Sequence, residues 1–221
     1  MSCGRFAPST YLVKLRPSDI RLDAPSSLPV ELPCNDYAFT ADAFNRQGNL
    51  DGKGNSYAAE LLPEEIVSEG VAFKVSADVE RRNVVKCDGQ RIALPQGGYD
   101  RVYLLAASLD GDRDTEFTVD GKPFRRTVPY YSGFFGQWGH DGEKGYVKDG
   151  DLAYVGTHRH SAERGNDPYV FTYMYKICLP VGAGAKELVL PEDRNVAVFA
   201  VTVSDNPNDC LSPLNEIRAL P

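Results

Sequence analysis

The sequence has no apolar run approaching the roughly 20 residues that a membrane-spanning helix requires, and its first residues lack the basic stretch and apolar segment of an intact signal peptide. Basic residues are outnumbered, with 24 Lys and Arg against 31 Asp and Glu, for a net charge of −7. That balance argues against nucleic acid and against an anionic membrane surface as partners, since both reward Lys and Arg. No CxxC or CxxH spacing occurs, which excludes the common structural zinc patterns. The five cysteines (Cys3, Cys34, Cys87, Cys178 and Cys210) are widely spread and odd in number, so free, buried thiols are expected rather than a disulfide framework. No GxSxG nucleophile elbow is present. No pair of acids is singled out by an apolar frame as glycoside hydrolysis would need; Asp149, Asp151, Glu163 and Asp167 lie in charged turns where solvated acids are expected.

What remains reads as one large all-β domain. Proline at positions 8, 17, 25, 29 and 33 forbids a long helix or a central strand near the N-terminus. Residues 1–30 are therefore expected to be a lead-in or linker, with short strands at Tyr11–Leu15 and around Val30–Leu32. Residues 31–204 are expected to form the sandwich, and 205–221 a polar, Pro-containing tail. From Gly70 the apolar period becomes two, with Val71, Phe73 and Val75 alternating with small or charged residues. Strands of about five residues follow, separated by Asp88-Gly89, Pro95–Gly98, Asp110–Asp112 and Asp120-Gly121, as in a sandwich or barrel. Tyr99–Ser108 is apolar enough for burial on both faces. Ala58–Ile66 allows one helical turn before Pro63 breaks it. The runs Ile92-Ala93-Leu94-Pro95 and Ile177-Cys178-Leu179-Pro180 echo each other, as if two similar hairpins faced one another across the core.

The chemistry-bearing residues concentrate between Tyr130 and Tyr175. This stretch holds His140, His158 and His160, the single Trp138, and seven of the twelve tyrosines. Gly133, Gly136 and Gly139 interleave with Phe134, Phe135 and Trp138, which suggests an irregular loop rather than a buried strand. A pyranose offers a C–H face to an aromatic ring and hydroxyls to Arg, Gln or His. Trp138, Gln137, His140, His158, Arg159 and His160 are therefore the candidate substrate-binding residues. On a strand, His158 and His160 share a face, so a metal site with His140 as third ligand is open as well. The bland alternative, histidines bonded to loop backbone, ranks first for each histidine taken singly. A second candidate is the Asn-, Asp- and Gly-rich stretch from Asn45 to Ser56. A structured loop is its plain reading; structural calcium held by Asp51, Asn49 and Asn45 is the sharper one, although the EF-hand pattern is absent.

The segments LDGKGNSYAAELLP (50–63), GVAF, GQRIALP, YDRVYLLAAS, GQWGH and AYVGTHRH resemble a β-sandwich domain attached to bacterial α-mannosidases of glycoside hydrolase family 38. The match spans roughly residues 31–204. The resemblance implies a galactose-binding-like jelly roll, a noncatalytic accessory role in a glycan-degrading enzyme, and a parent exported to the periplasm or cell exterior. In that family the zinc and nucleophile belong to a separate catalytic domain, and nothing here matches them. The partner is then a glycan or the catalytic domain of the parent. The alternatives are a purely structural interdomain module and, behind it, a metal-dependent hydrolase using the histidine cluster.

Overall fold

The computed structural model describes residues 26–137, 145–148 and 150–205. The expected strand at Tyr11–Leu15 and the tail from 206 onward lie outside the described residues. Two sheets carry the architecture. The larger contains β1 (Ser27–Val30), β2 (Phe39–Thr40), β3 (Asn55–Ala58), β6 (Val85–Lys86), β8 (Arg101–Ser108), β13 (Leu152–Ser161), β14 (Gly165–Pro180) and β16 (Val196–Ser204). Its order is β1-β16-β8-β14-β13-β3-β2, with β6 beside β16. The smaller contains β7 (Arg91–Ala93), β9 (Arg113–Val119), β10 (Lys122–Val128) and β15 (Glu187–Val189), in the order β10-β9-β15-β7. Two small ribbons complete the set: β4 (Ile66–Ser68) with β5 (Val71–Phe73), and β11 (Gly136–Gln137) with β12 (Tyr146–Val147). The expected all-β sandwich is thus the observed one.

One core lies between the sheets. Val102, Leu104, Ala106, Ile177, Leu179, Val198 and Val201 of the large sheet meet Ile92, Phe117, Val119, Phe124 and Leu188 of the small one. β8 is buried from Val102 through Ser108 on both faces, as its unbroken apolar run predicts. Its outer side is roofed by the β4–β5 ribbon, whose Ile66, Val71 and Phe73 pack in a second core with Tyr103, Leu105 and Met174. The two echoing runs fall on β7 and on the end of β14, one in each sheet, with Ile92 and Ile177 in the same core.

Two of the turns between strands do not join neighbours in one sheet. Asp88-Gly89 links β6 to β7 and Asp110–Asp112 links β8 to β9, and in each case the two strands belong to different sheets. These turns are corners of the sandwich. Local turn chemistry sets the bend, but the partner of each strand is set by the core. Asp120-Gly121 is a true two-residue hairpin loop: φ is +47° and +78°, the pair of left-handed residues that matches strand twist, and β9 pairs with β10 along its length. The sandwich also starts earlier than expected. Residues 27–30 pair with β16 at the sheet edge, where Pro29 is tolerated because an edge strand leaves half its N–H groups unused.

Candidate functional site

The aromatic stretch divides into a buried half and an exposed half. Tyr131, Tyr173 and Tyr175 are core residues, at most 1% exposed. Their hydroxyls are satisfied internally, as buried phenols require: Tyr131 donates to Asp51 Oδ2 at 2.8 Å and Tyr173 to the Gly133 carbonyl at 2.8 Å. Tyr57 of β3 joins them, its ring 5.5 Å from that of Tyr131 and its hydroxyl on the Tyr173 carbonyl at 2.7 Å. Burial pushes the phenols of Tyr57, Tyr131 and Tyr175 well above the ordinary tyrosine range. Phe134 (65% exposed) and Phe135 (38%) instead face solvent. The bridge between Ser132 and Thr172 carries them alongside β14, whose bulge presents Tyr169 at 79% exposure and φ +65°. Trp138 and His140 lie outside the described residues. Gln137 is placed in β11, paired with Tyr146.

His158 and His160 do share a face of β13, and the structure separates Arg159 from them. Alternation turns the guanidinium to the opposite side, where its Nε and Nη2 donate to Asp167 Oδ2 at 3.2 and 2.9 Å. Arg164 donates to the other oxygen of that buried carboxylate. The arrangement of Arg159 between two imidazoles on one binding surface is therefore corrected: it is half of an ion pair beneath the β13–β14 hairpin. On the histidine face, Glu60 arrives from the one-turn helix Ala59–Leu61 that follows β3. His160 Nε2 is 3.0 Å and His158 Nε2 3.4 Å from Glu60 Oε1, and the two rings are 5.4 Å apart. His160 is fully buried, and its Nδ1 bonds Thr40 Oγ1 at 2.8 Å, which in turn bonds Ser56 Oγ at 2.7 Å. Glu60 had no signal in the sequence beyond being one acid in a helical turn.

The Asn45–Ser56 loop is closed by its own hydrogen bonds. Asp51 Oδ1 accepts from the Lys53 and Asn55 amides, and Oδ2 from Asn55 Nδ2 and the Tyr131 hydroxyl. Those four donors match the roughly four lone-pair sites of a carboxylate. Asn49 Oδ1 accepts from the Gly54 amide at 2.8 Å. Asn45 reaches in another direction, donating to Asn166 Oδ1 at 2.8 Å across the β13–β14 turn. The structure thus gives Asn45 a separate partner from Asp51 and Asn49.

The same loop forms one wall of a cleft of about 540 Å³. Tyr37 (47% exposed) and Phe44 (56%) stand in its walls, with Phe39 and Thr40 of β2 between them in the chain. Polar groups line the rest. Asp36 and Lys86 form an ion pair at 3.3 Å, and Gln47 and Asn49 add two amides. A volume in the range of small-ligand sites, with exposed rings and a few polar groups, is a recognition geometry. Sequence reasoning missed Tyr37 and Phe44; the available signal was two rings just before a turn-rich loop.

This combination defines a class first: a two-sheet β-sandwich domain with a ring-lined open cleft at the edge of its larger sheet. The model of the AziU2-like β-sandwich domain matches residues 26–207, most of the chain. The chain belongs to that family. No curated protein matches the sequence.

Proposed function

We propose that this domain is a noncatalytic recognition module that binds a glycan in the Tyr37–Phe44 cleft, as an accessory part of an exported glycan-degrading enzyme. The observation that carries the reading is the cleft itself. Two exposed rings supply faces for the C–H side of a sugar, and Asp36, Lys86, Gln47 and Asn49 supply acceptors and donors for its hydroxyls. The resemblance to the α-mannosidase sandwich supports the glycan class and the exported parent. This reading places the site in the segment and loop before β3, apart from the Trp138 stretch.

The test is a calorimetric and glycan-array screen of the domain against mannosides and plant or yeast glycans, with the double variant Tyr37→Ala/Phe44→Ala. Saturable binding, weakened at least roughly tenfold in the folded variant, is the expected result, since stacking on an aromatic ring is worth on the order of 1 kcal/mol or more per ring. Binding that survives the double variant refutes the cleft assignment. A folded domain that binds no glycan and self-associates favours the interdomain reading instead. The solvent-facing Phe134 and Phe135, adjacent in the chain, favour that second reading, because exposed apolar patches mark packing surfaces.

A further inference from the structure

Glu60, His158 and His160 stand apart from the cleft chemistry and are unexplained by it. Their ligand atoms all lie within 4.8 Å of one another. We propose that they form a binding site for a divalent first-row transition metal ion of the zinc class, with two imidazole Nε2 atoms and one carboxylate oxygen as ligands.

The spacing is the first reason. Metal bonds to imidazole and carboxylate run about 2.0–2.2 Å, so two ligand atoms on a tetrahedron are separated by about 3.4 Å. The two Nε2 atoms stand 3.0 and 3.4 Å from Glu60 Oε1, close to that edge length.

Hydrogen inventory is the second. His158 Nε2 is shielded from water and makes no hydrogen bond among the described residues. Tyr154, two strand positions before Gly156 and four before His158, is 7% exposed and its hydroxyl is likewise without a hydrogen-bond partner. Buried polar atoms without partners are few in folded proteins, and two of them belong to the strand that carries both histidines. An ion with an open coordination position satisfies the nitrogen directly and gives the hydroxyl a metal-bound water to address.

The supporting shell is the third. His160 Nδ1 is held by Thr40 Oγ1, and Thr40 is held by Ser56. With Thr40 donating to Ser56 and accepting from Nδ1–H, the His160 Nε2 lone pair is free for an ion; in the other tautomer Nε2–H donates to Glu60 Oε1 at 3.0 Å, the bond that an ion would replace. A non-metal ligand oxygen, amide or hydroxyl orienting the remote ring nitrogen is the usual companion of a metal-bound histidine. Glycine at position 156 keeps the space open: a Cβ there would stand 3.0 Å from the Tyr154 hydroxyl and 2.4 Å from Thr172 Oγ1. Two imidazoles and one carboxylate suit zinc and its first-row neighbours and do not suit calcium or magnesium, which prefer all-oxygen sets.

The experiment uses untagged full-length chain, stripped with chelator and dialysed against Zn²⁺, with metal read by mass spectrometry and affinity by calorimetry. Co²⁺ substitution reports the ligand set by its visible spectrum. The variants are Glu60→Gln and His158→Gln, both at partly exposed positions, with folding checked by circular dichroism; His160 is left intact because its full burial makes its replacement a test of folding. The expected result is one ion per chain, affinity reduced roughly tenfold or more by each variant, and a low-coordinate Co²⁺ spectrum without a thiolate charge-transfer band. Less than half an equivalent of Zn²⁺, or binding that both folded variants leave unchanged, overturns the site. A thiolate band overturns it as well, by assigning the ion to cysteine. None of these readouts depends on glycan, so the cleft reading and the metal site fail or stand separately.

Discussion

Lys176 provides a test of how this sandwich handles charge in its interior. Its side chain is 1% exposed and lies on the covered face of β14, with Nζ 5.8 Å from the centre of the Tyr103 ring. Two acids reach it from the rim: Glu69 in the β4–β5 turn, and Asp151 with Oδ2 at 3.0 Å. Burial alone would lower the ammonium pKa, but hydrogen bonds to Glu69 and Asp151 more than offset it and the net direction is upward. The two sides of the pair are unequal, because the acids are 58% and 44% exposed. Removing Lys176 leaves two carboxylates in water, whereas removing the carboxylates leaves an ammonium in the core. At 3.0 Å and an effective dielectric near 20 the gross attraction to Asp151 is about 5 kcal/mol, reduced by the solvent exposure of the acid. Loss of both acids is capped further, since the lysine can release its proton. Glu69→Ala/Asp151→Ala is therefore expected to cost about 2–4 kcal/mol, and Lys176→Met to fall within about 1 kcal/mol of the parent or to stabilise it. Urea denaturation at pH 7, with equal m-values as the check on comparability, measures both. The reasoning is refuted if Lys176→Met costs more than the double acid removal.

Two further perturbations probe the cleft loop and the buried phenols. Gly48→Ala places a Cβ 2.0 Å from Ser56 Oγ and 2.4 Å from its Cβ, where the cleft loop crosses β3; about 1–3 kcal/mol of lost stability in chemical denaturation is expected, and an unchanged midpoint contradicts the crossing. Tyr154 is pushed up to about 12 by burial and then by Glu60, while the unfolded phenol titrates near 10. A raised folded pKa means that the folded state keeps the proton longer, so its stability contribution is complete below pH 10 and is lost as pH rises toward 12. Ultraviolet titration should show one group of tyrosines ionising near pH 10 and a second, including Tyr57, Tyr131, Tyr154 and Tyr175, ionising only with unfolding; a single transition for all of them argues against their burial.

Period-two patterning disclosed the strands because burial on one or both faces writes itself into residue order. β5, β8, β14 and β16 are each legible that way. Pairing is a different matter. Asp88-Gly89, Asp110–Asp112 and Asp120-Gly121 look alike as turns, yet only the last joins neighbours in one sheet. Nothing within five residues of a turn records whether the next strand returns beside its predecessor or crosses to the facing sheet; that depends on which apolar faces remain to be covered. The place of the tyrosines was illegible for a related reason. A tyrosine's hydroxyl permits a surface role and an interior one, and the choice rests on whether a carbonyl or carboxylate is within reach. For Tyr57, Tyr131 and Tyr173 one is, at 2.7 to 2.8 Å, so their rings build core.

The histidine site shows how far alternation carries by itself. His158 and His160 two apart on a strand must share a face, and the same rule must send Arg159 to the other side, so a surface using all three was excluded by the pattern that suggested it. The guanidinium accordingly ends on Asp167, its register partner across the hairpin, which removes a buried carboxylate's need for a counter-charge without touching the imidazoles. What alternation cannot supply is the third group. Glu60 is 98 and 100 residues from the two histidines and reaches them only because β3 pairs with β13 at Ser56 and His160, and the chain then turns within one short helix. The antiparallel β3–β13 register seats Ser56 beside His160, and the parallel β2–β3 register, with Thr40 opposite Ala58, brings Thr40 against both, so the position of Glu60 and the orientation of the His160 ring follow from two pairings that share β3. Shifting the β3–β13 pairing by a single residue would turn Ser56 away from His160 and dissolve both at once.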